Sequence, residues 1–185
     1  PGSFSLRTLD VLKNISQKEA DIFVRLARIA VQDGSILFIP DIDNESFLEK
    51  RFGIRSIDLI LLREIGLIGP SDMFLSLATV KEATQFRFTI GSTCVVIDRP
   101  AGTPNLPVPA LFFTEVGREL HQFVERDPAD LEYVEQIARP FQFPGVVARS
   151  GIVVQWYADG TFDHNDLQDV PGNKPMPVAK GKPRQ

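Results

Sequence analysis

An α+β fold is what this sequence predicts, and three observations carry the prediction. Apolar residues recur with helical period in several capped stretches, short β-branched and aromatic runs alternate with them, and Gly-Ser and Asp-Gly turns sit at hairpin spacing. The first half runs helix, short strand, helix, tight turn, helix and then hairpin, which is the order of a winged helix. The expected layout is a winged-helix-like helical core with a β-hairpin wing over residues 1–126, a small helix-plus-hairpin subdomain over 127–170 and a basic tail over 171–185.

Leu6, Leu9, Leu12 and Ile15 set a helical period at once, so Leu6–Asn14 reads as a short helix whose apolar stripe needs a neighbour. Ser16-Gln17-Lys18-Glu19 is a capping box, in which each side chain can reach the other residue's backbone N–H. The helix it starts is predicted to run to about Gln32 and stop at Asp33-Gly34, with Gly34 as a left-handed cap. Its polar residues Lys18, Asp21, Arg25 and Arg28 form one narrow stripe, so it should be packed on more than one side. Ser35–Ile39, closed by Pro40, reads as a strand. Asp41, Asp43 and Glu45 alternate as in a cation loop, but the glycine and the downstream bidentate Glu of an EF-hand are missing, so turn and N-cap chemistry is expected.

A helix from Glu45 to Phe52 follows, and Gly53-Ile54-Arg55 turns into Ser56, read as the cap of the stretch SIDLILLREIGLI at Ser56–Ile68. Phe86–Ile90 and Thr93–Asp98 form a hairpin joined at Gly91-Ser92. Pro70–Thr84 is compatible with a short helix facing inward through Met73, Phe74, Leu77 and Val80. Arg99–Pro109 holds Pro100, Pro104, Pro107 and Pro109 and reads as a stiff irregular loop, since proline cannot donate to a strand ladder. Ala110–Phe113 reads as a strand, and Thr114 caps a helix with Val116, Leu120, Phe123 and Val124 on one face. Asp127-Pro128 is read as the start of another helix, with Leu131, Val134, Ile137 and Ala138 inward. A final hairpin is expected where Ile152–Tyr157 turns through Ala158-Asp159-Gly160 into Thr161-Phe162.

The net charge of −4 conceals an asymmetry. Residues 101–170 carry four Arg or Lys against eleven Asp or Glu, whereas the tail beyond Val170 has four basic residues and no acidic one. An acidic body repels a polyanion, so nucleic acid is disfavoured as a partner. No apolar run approaches the roughly 20 residues of a membrane span, and the chain does not open on a signal-peptide pattern, so a cytoplasmic protein without membrane contact is expected. The single cysteine, Cys94, lies in the apolar run STCVVID and reads as a buried thiol. Phosphate-binding, dinucleotide-binding and zinc motifs are lacking, so no cofactor is expected.

The candidate sites follow from position and residue type. In a winged helix, SIDLILLREIGLI would be the recognition helix, which needs several outward Arg, Lys, Asn or Gln to read bases. Here Arg63 stands beside Asp58 and Glu64 among apolar residues, which favours docking of a protein partner or a second copy through Ile57, Ile60, Leu61, Arg63 and Glu64. The nucleic-acid alternative would use Arg55, Arg63 and Arg87 with Lys180, Lys182 and Arg184 of the tail. A metal-dependent enzyme is the further alternative, through Asp163, His164 and Asp166 around Asn165. Glu115, Glu119 and His121 share one short helix and could hold an ion or relay a proton, although its apolar face should turn them toward solvent.

The runs PGSFSLRTLDVLKNISQKEADIF, LILLREIGLI and FFTEVGREL carry a resemblance. Together they resemble a bacterial domain family of unknown function, similar in layout to the C-terminal part of abortive-infection alpha proteins. The shared motifs fall at Leu12–Ala20, Leu62–Ile68 and Thr114–Leu120. The resemblance implies a native Pro-Gly-Ser start, a helical part upstream and a link to phage defence, and it brings no catalytic residue. A non-enzymatic interaction or regulatory role is expected from the apolar recognition-position helix, the acidic body and the missing catalytic motifs.

Overall fold

Among the described residues, nine strands, all paired antiparallel, make one sheet that organises the chain. A computed structural model describes residues 4–40, 45–70, 73–141, 143–157 and 161–171. In chain order the elements are α1 (Leu6–Asn14), α2 (Gln17–Arg28), β1 (Val31–Asp33), β2 (Ile36–Pro40), α3 (Glu45–Phe52), α4 (Ser56–Glu64), β3 (Met73–Leu77), β4 (Thr84–Ile90), β5 (Thr93–Arg99), β6 (Leu106–Phe112), α5 (Glu115–His121), α6 (Leu131–Ala138), β7 (Val147–Trp156), β8 (Phe162–His164) and β9 (Gln168–Asp169). The strand order is β3-β6-β2-β1-β4-β5-β7-β8, with β9 also on β7. Leu37–Ile39 of β2 and Cys94–Ile97 of β5 are buried at every position, so both faces of the sheet are covered there.

The capping box at Ser16 forms: the Ser16 N–H donates to the Glu19 carboxylate at 2.7 Å, and the Glu19 N–H donates to Ser16 Oγ at 3.3 Å. α2 ends at Arg28, short of the predicted Gln32. Val31–Asp33 instead pairs with Ile36–Phe38, and Gly34, at φ 54°, turns this hairpin rather than capping a helix. The apolar run Ile29-Ala30-Val31 fits a buried helix or a buried strand equally well, and the neighbouring strands β2 and β4 decide the outcome.

The hairpin predicted at Gly91-Ser92 is β4–β5, with Ile90 opposite Thr93. It does not stand free as a wing, because β4 also pairs with β1 and β5 also pairs with β7. Met73–Leu77 is a strand, not the helix that its spacing allowed. The proline-rich loop also ends earlier than expected, since Pro107 and Pro109 lie inside β6.

Backbone parity explains how those prolines are tolerated. The Phe113 N–H donates to Leu37 O at 3.0 Å, so odd-numbered residues of this segment aim their backbone groups toward β2. Among the described residues, β2 pairs as far as Pro40 opposite Ala110. The ring nitrogens of Pro107 and Pro109 therefore lie beyond the last described pair of β2, and their missing N–H groups remove no bond from the described ladder.

α6 begins after Asp130, whose carboxylate accepts the Tyr133 N–H at 3.1 Å, and not at Asp127-Pro128. Residues 127–129 lie against the β4–β5 turn, where Ser92 N–H donates to Asp127 O at 3.0 Å and Ala129 N–H donates to Thr93 Oγ1 at 2.8 Å. Leu131, the first residue of α6, is turned outward, 63% exposed, and Tyr133 fully inward. The Tyr133 hydroxyl donates to Ile29 O at 2.9 Å. Cys94 is buried, as expected of an apolar strand residue, and burial pushes its thiol pKa up.

Candidate interaction surface

Position Arg55, not Ser56, caps α4. The Asp58 carboxylate accepts the Arg55 backbone N–H at 3.0 Å and the guanidinium at 3.2 and 3.0 Å. Asp58 is buried, and the Arg55 guanidinium holds its pKa below the ordinary carboxylate value. Ile57 and Ile60 face solvent, Leu61 is half-buried against the core, and Glu64 is exposed. Arg63 uses Nε to hold the Gly69 carbonyl at 3.0 Å, fastening the loop that follows the helix. Of the five residues expected to dock a partner, three remain at the surface and two are held by their own fold.

The three described basic residues of the nucleic-acid alternative each have a partner within the fold. Arg55 is paired with Asp58, Arg63 with a carbonyl, and Arg87 donates to Gln85 Oε1 at 3.1 Å. Lys180, Lys182 and Arg184 lie outside the described residues, as do Asp41 to Asn44 of the cation-loop reading. Arginines of the first half also meet the acidic second half. Arg28 pairs with Glu125 at 3.2 Å, and Arg51 pairs with Asp130 and, at 3.8 Å, with Glu132.

α1 is turned the unexpected way. Of its residues only Thr8 is buried, while Leu6, Leu9 and Leu12 are 83, 47 and 45% exposed. A polar clamp sets this orientation. The Ser5 N–H and hydroxyl donate to the Glu119 carboxylate at 3.1 and 3.2 Å, and Thr8 Oγ1 lies 2.9 Å from Ser5 Oγ. A carboxylate at the first turn of α1 also opposes the positive end of the helix dipole. Hydrogen bonds from Thr8 and Ser5 keep the Glu119 pKa below its ordinary value.

Two concavities flank α1. One is an apolar groove of about 370 Å³ lined by Phe4, Leu12, Ile15, Val24, Leu120 and Phe123, among others. Phe4 and Phe123 pack at 5.2 Å between ring centroids, and Phe123 is 65% exposed, not on the buried face of α5 as its spacing suggested. The other is a cleft of about 610 Å³ between α1, the end of α4 and the start of α5, where Asp10, Glu19, Glu64 and Glu115 outnumber Arg7. The apolar stripe and the acidic cleft thus lie on the two flanks of one helix.

Most residues of the two catalytic or metal-binding expectations make separate contacts within the fold. Glu115 pairs with Arg118, Glu119 clamps α1, and His121 is packed beside the Ala27 backbone. Burial, with the charge of Arg126, lowers the His121 pKa to about 4. Near β8, Asp163 accepts from the Tyr157 hydroxyl, His164 Nδ1 lies 2.8 Å from Asn165 O, and Asp166 is exposed. Asn165 Oδ1 accepts the Ile152 N–H at 2.7 Å, which joins this turn to β7. Among the described residues, no group of three or more His, Cys, Asp or Glu is placed to hold a metal ion. Among them also, no helix is long and apolar enough to cross a membrane.

Comparison with known proteins gives a family match over residues 1–138, from the start of the chain to the end of α6, and the family is described as "Protein of unknown function (DUF2806)". No curated protein and no solved structure matches the chain.

Proposed function

The chain belongs to the DUF2806 family, and we propose that it works as a non-enzymatic protein-interaction module whose docking face is built on α1. The observation that carries this reading is the outward stripe Leu6, Leu9 and Leu12, one turn apart and continuous with an apolar groove. A patch of this kind costs hydration free energy in the isolated chain, and docking removes that cost. The occupant that fits is an amphipathic helix, its apolar face against the leucines and its basic residues over the acidic cleft of Asp10, Glu19, Glu64 and Glu115. Ile57 and Ile60 of α4 extend the same reading to a second exposed apolar pair.

The order α2, β2, α3, α4 and the β4–β5 hairpin, with β1 added before β2 and β3 before β4, supports a winged-helix-like unit enlarged into a wider sheet. Capture of partners by the intact protein from cells that make it tests the proposal. A partner bound by wild type, lost with Leu6→Gln and Phe123→Asp but kept with Leu131→Gln, is the expected result. A chain that captures nothing, or a partner indifferent to the α1 substitutions, overturns it. The resemblance to abortive-infection proteins extends the proposal to phage defence. Phage plating on cells carrying wild type or Leu6→Gln tests that extension, and equal plating counts against it.

A further inference from the structure

The two ends of the sheet are not alike. β8 has three residues, carries Asp163 and His164, and meets β7 through an irregular register between Val153 and Gln155. Charge, shortness and irregularity are the usual protections of an edge strand. β3 is the other end, and it has none of them. Met73-Phe74-Leu75-Ser76-Leu77 lacks charge and proline, pairs regularly with β6 along its whole length, and exposes Met73 and Phe74 at 40 and 61%.

Parity identifies what this edge offers. Because odd residues from β6 onward face β2, the even ones face β3, as the Gly69 N–H to Phe112 O bond of 2.7 Å confirms. Ala110, Val108 and Leu106 oppose Met73, Leu75 and Leu77, so those three residues of β3 bond inward. The N–H and C=O groups of Phe74 and Ser76 point outward. Among the described residues no backbone hydrogen bond outside the strand ladders engages them.

We propose that the β3 edge pairs with the β3 edge of a second copy of this chain, antiparallel about a two-fold axis through Leu75. Only a register with Phe74 opposite Ser76 of the other copy satisfies every outward group of both residues within the strand, since each such pair exchanges both of its bonds. The same register places Leu75 on Leu75 and Met73 on Leu77, apolar against apolar, and sets each large exposed ring beside a small hydroxyl side chain. It brings no ionisable side chain of β3 into the seam, which matters for two copies of a chain with net charge −4. Sliding the register by two residues puts Phe74 against Phe74, or Ser76 against Ser76, and leaves an outward pair to find partners beyond the strand. The surface is distinct from the α1 stripe and does not depend on that reading.

A five-residue seam is smaller than the roughly 1,200 Å² of standard interfaces, so the association is concentration-dependent. Sedimentation equilibrium of the intact chain across a range of about 10 to 500 µM tests it, with wild type expected to move from monomer to dimer. Ser76→Pro removes an outward N–H that β6 does not use, and Phe74→Lys places two cations near the axis. Both should remain folded by circular dichroism and stay monomeric throughout. Leu75→Cys should form a covalent dimer under mild oxidation, because directly opposed, non-bonded strand positions bring Cβ atoms about 4.5–5.5 Å apart. Ala78→Cys, outside the strand, should not. A wild type that is monomeric at the highest concentration, a dimer unaffected by both edge variants, or equal cross-linking at positions 75 and 78 overturns the proposal.

Discussion

Replacing Leu6 by Gln separates two roles that a leucine on a helix can have. Leu6 is 83% exposed, so the isolated chain realises only about one sixth of the ~1.5–3 kcal/mol that full burial of a leucine provides. The variant should lose no more than about 0.5 kcal/mol of stability, since Gln has a helix propensity close to that of Leu. Docking would bury the remaining five sixths, about 1.2–2.5 kcal/mol, and its loss weakens partner binding roughly 7- to 60-fold. Leu62 on α4 is fully buried, and Leu62→Ala should lower stability by about 2–5 kcal/mol. Urea unfolding of both variants and titration of the captured partner with Leu6→Gln make the comparison. A loss of 2 kcal/mol or more at Leu6, or an affinity within twofold of wild type, would refute the reasoning.

Other positions test the packing that holds this surface. Tyr133→Phe removes the donor to Ile29 O inside the core and should cost about 1–3 kcal/mol in urea unfolding; a change below measurement would mean that another group satisfies that carbonyl. The unfolded His121 imidazole gains its proton near 6.5, whereas the folded one resists until about 4. Stability should therefore be complete above about pH 6.5 and decline toward pH 4, by up to roughly 3 kcal/mol at ~1.36 kcal/mol per pKa unit. His121→Gln should flatten that part of the urea-midpoint profile, and an NMR titration placing the His121 pKa at 6 or above would contradict it. At Gly91, φ is +55° and an added Cβ would sit 2.0 Å from Asp127 O, so Gly91→Ala must displace residues 127–129. A thermal-unfolding loss of about 1–3 kcal/mol is expected, and retention of wild-type stability would count against the close approach.

Much of the local structure was legible in the residues because its cause is local. The Ser16 box requires only Ser and Glu three positions apart, and the Gly91-Ser92 turn requires only glycine's freedom between two β-rich runs. The candidate surface was legible in part. Ile57 and Ile60 are exposed as an interaction face needs, but Arg63 is taken by a loop carbonyl that lies six residues away. Nothing in the spacing of Phe4 and Phe123 links them, since their contact forms only when α1 lies on α5.

The α+β class, the Ser16 and Thr114 caps, the Gly91-Ser92 turn and the burial of Cys94 were determined by the sequence alone, through interactions within a few residues or through hydrophobicity itself. Tertiary structure decided the rest. The prolines of β6 fall beyond the last described pair of β2, Pro40 opposite Ala110, and Val31 leaves the helix to pair with both β2 and β4. The direction of α1 is decided in the same way. Its leucine period shows that one face is apolar, but Glu119, over a hundred positions away, draws Ser5 and Thr8 inward and leaves that face to solvent. Periodicity records that an apolar face exists; which surface covers it depends on groups that only folding brings together.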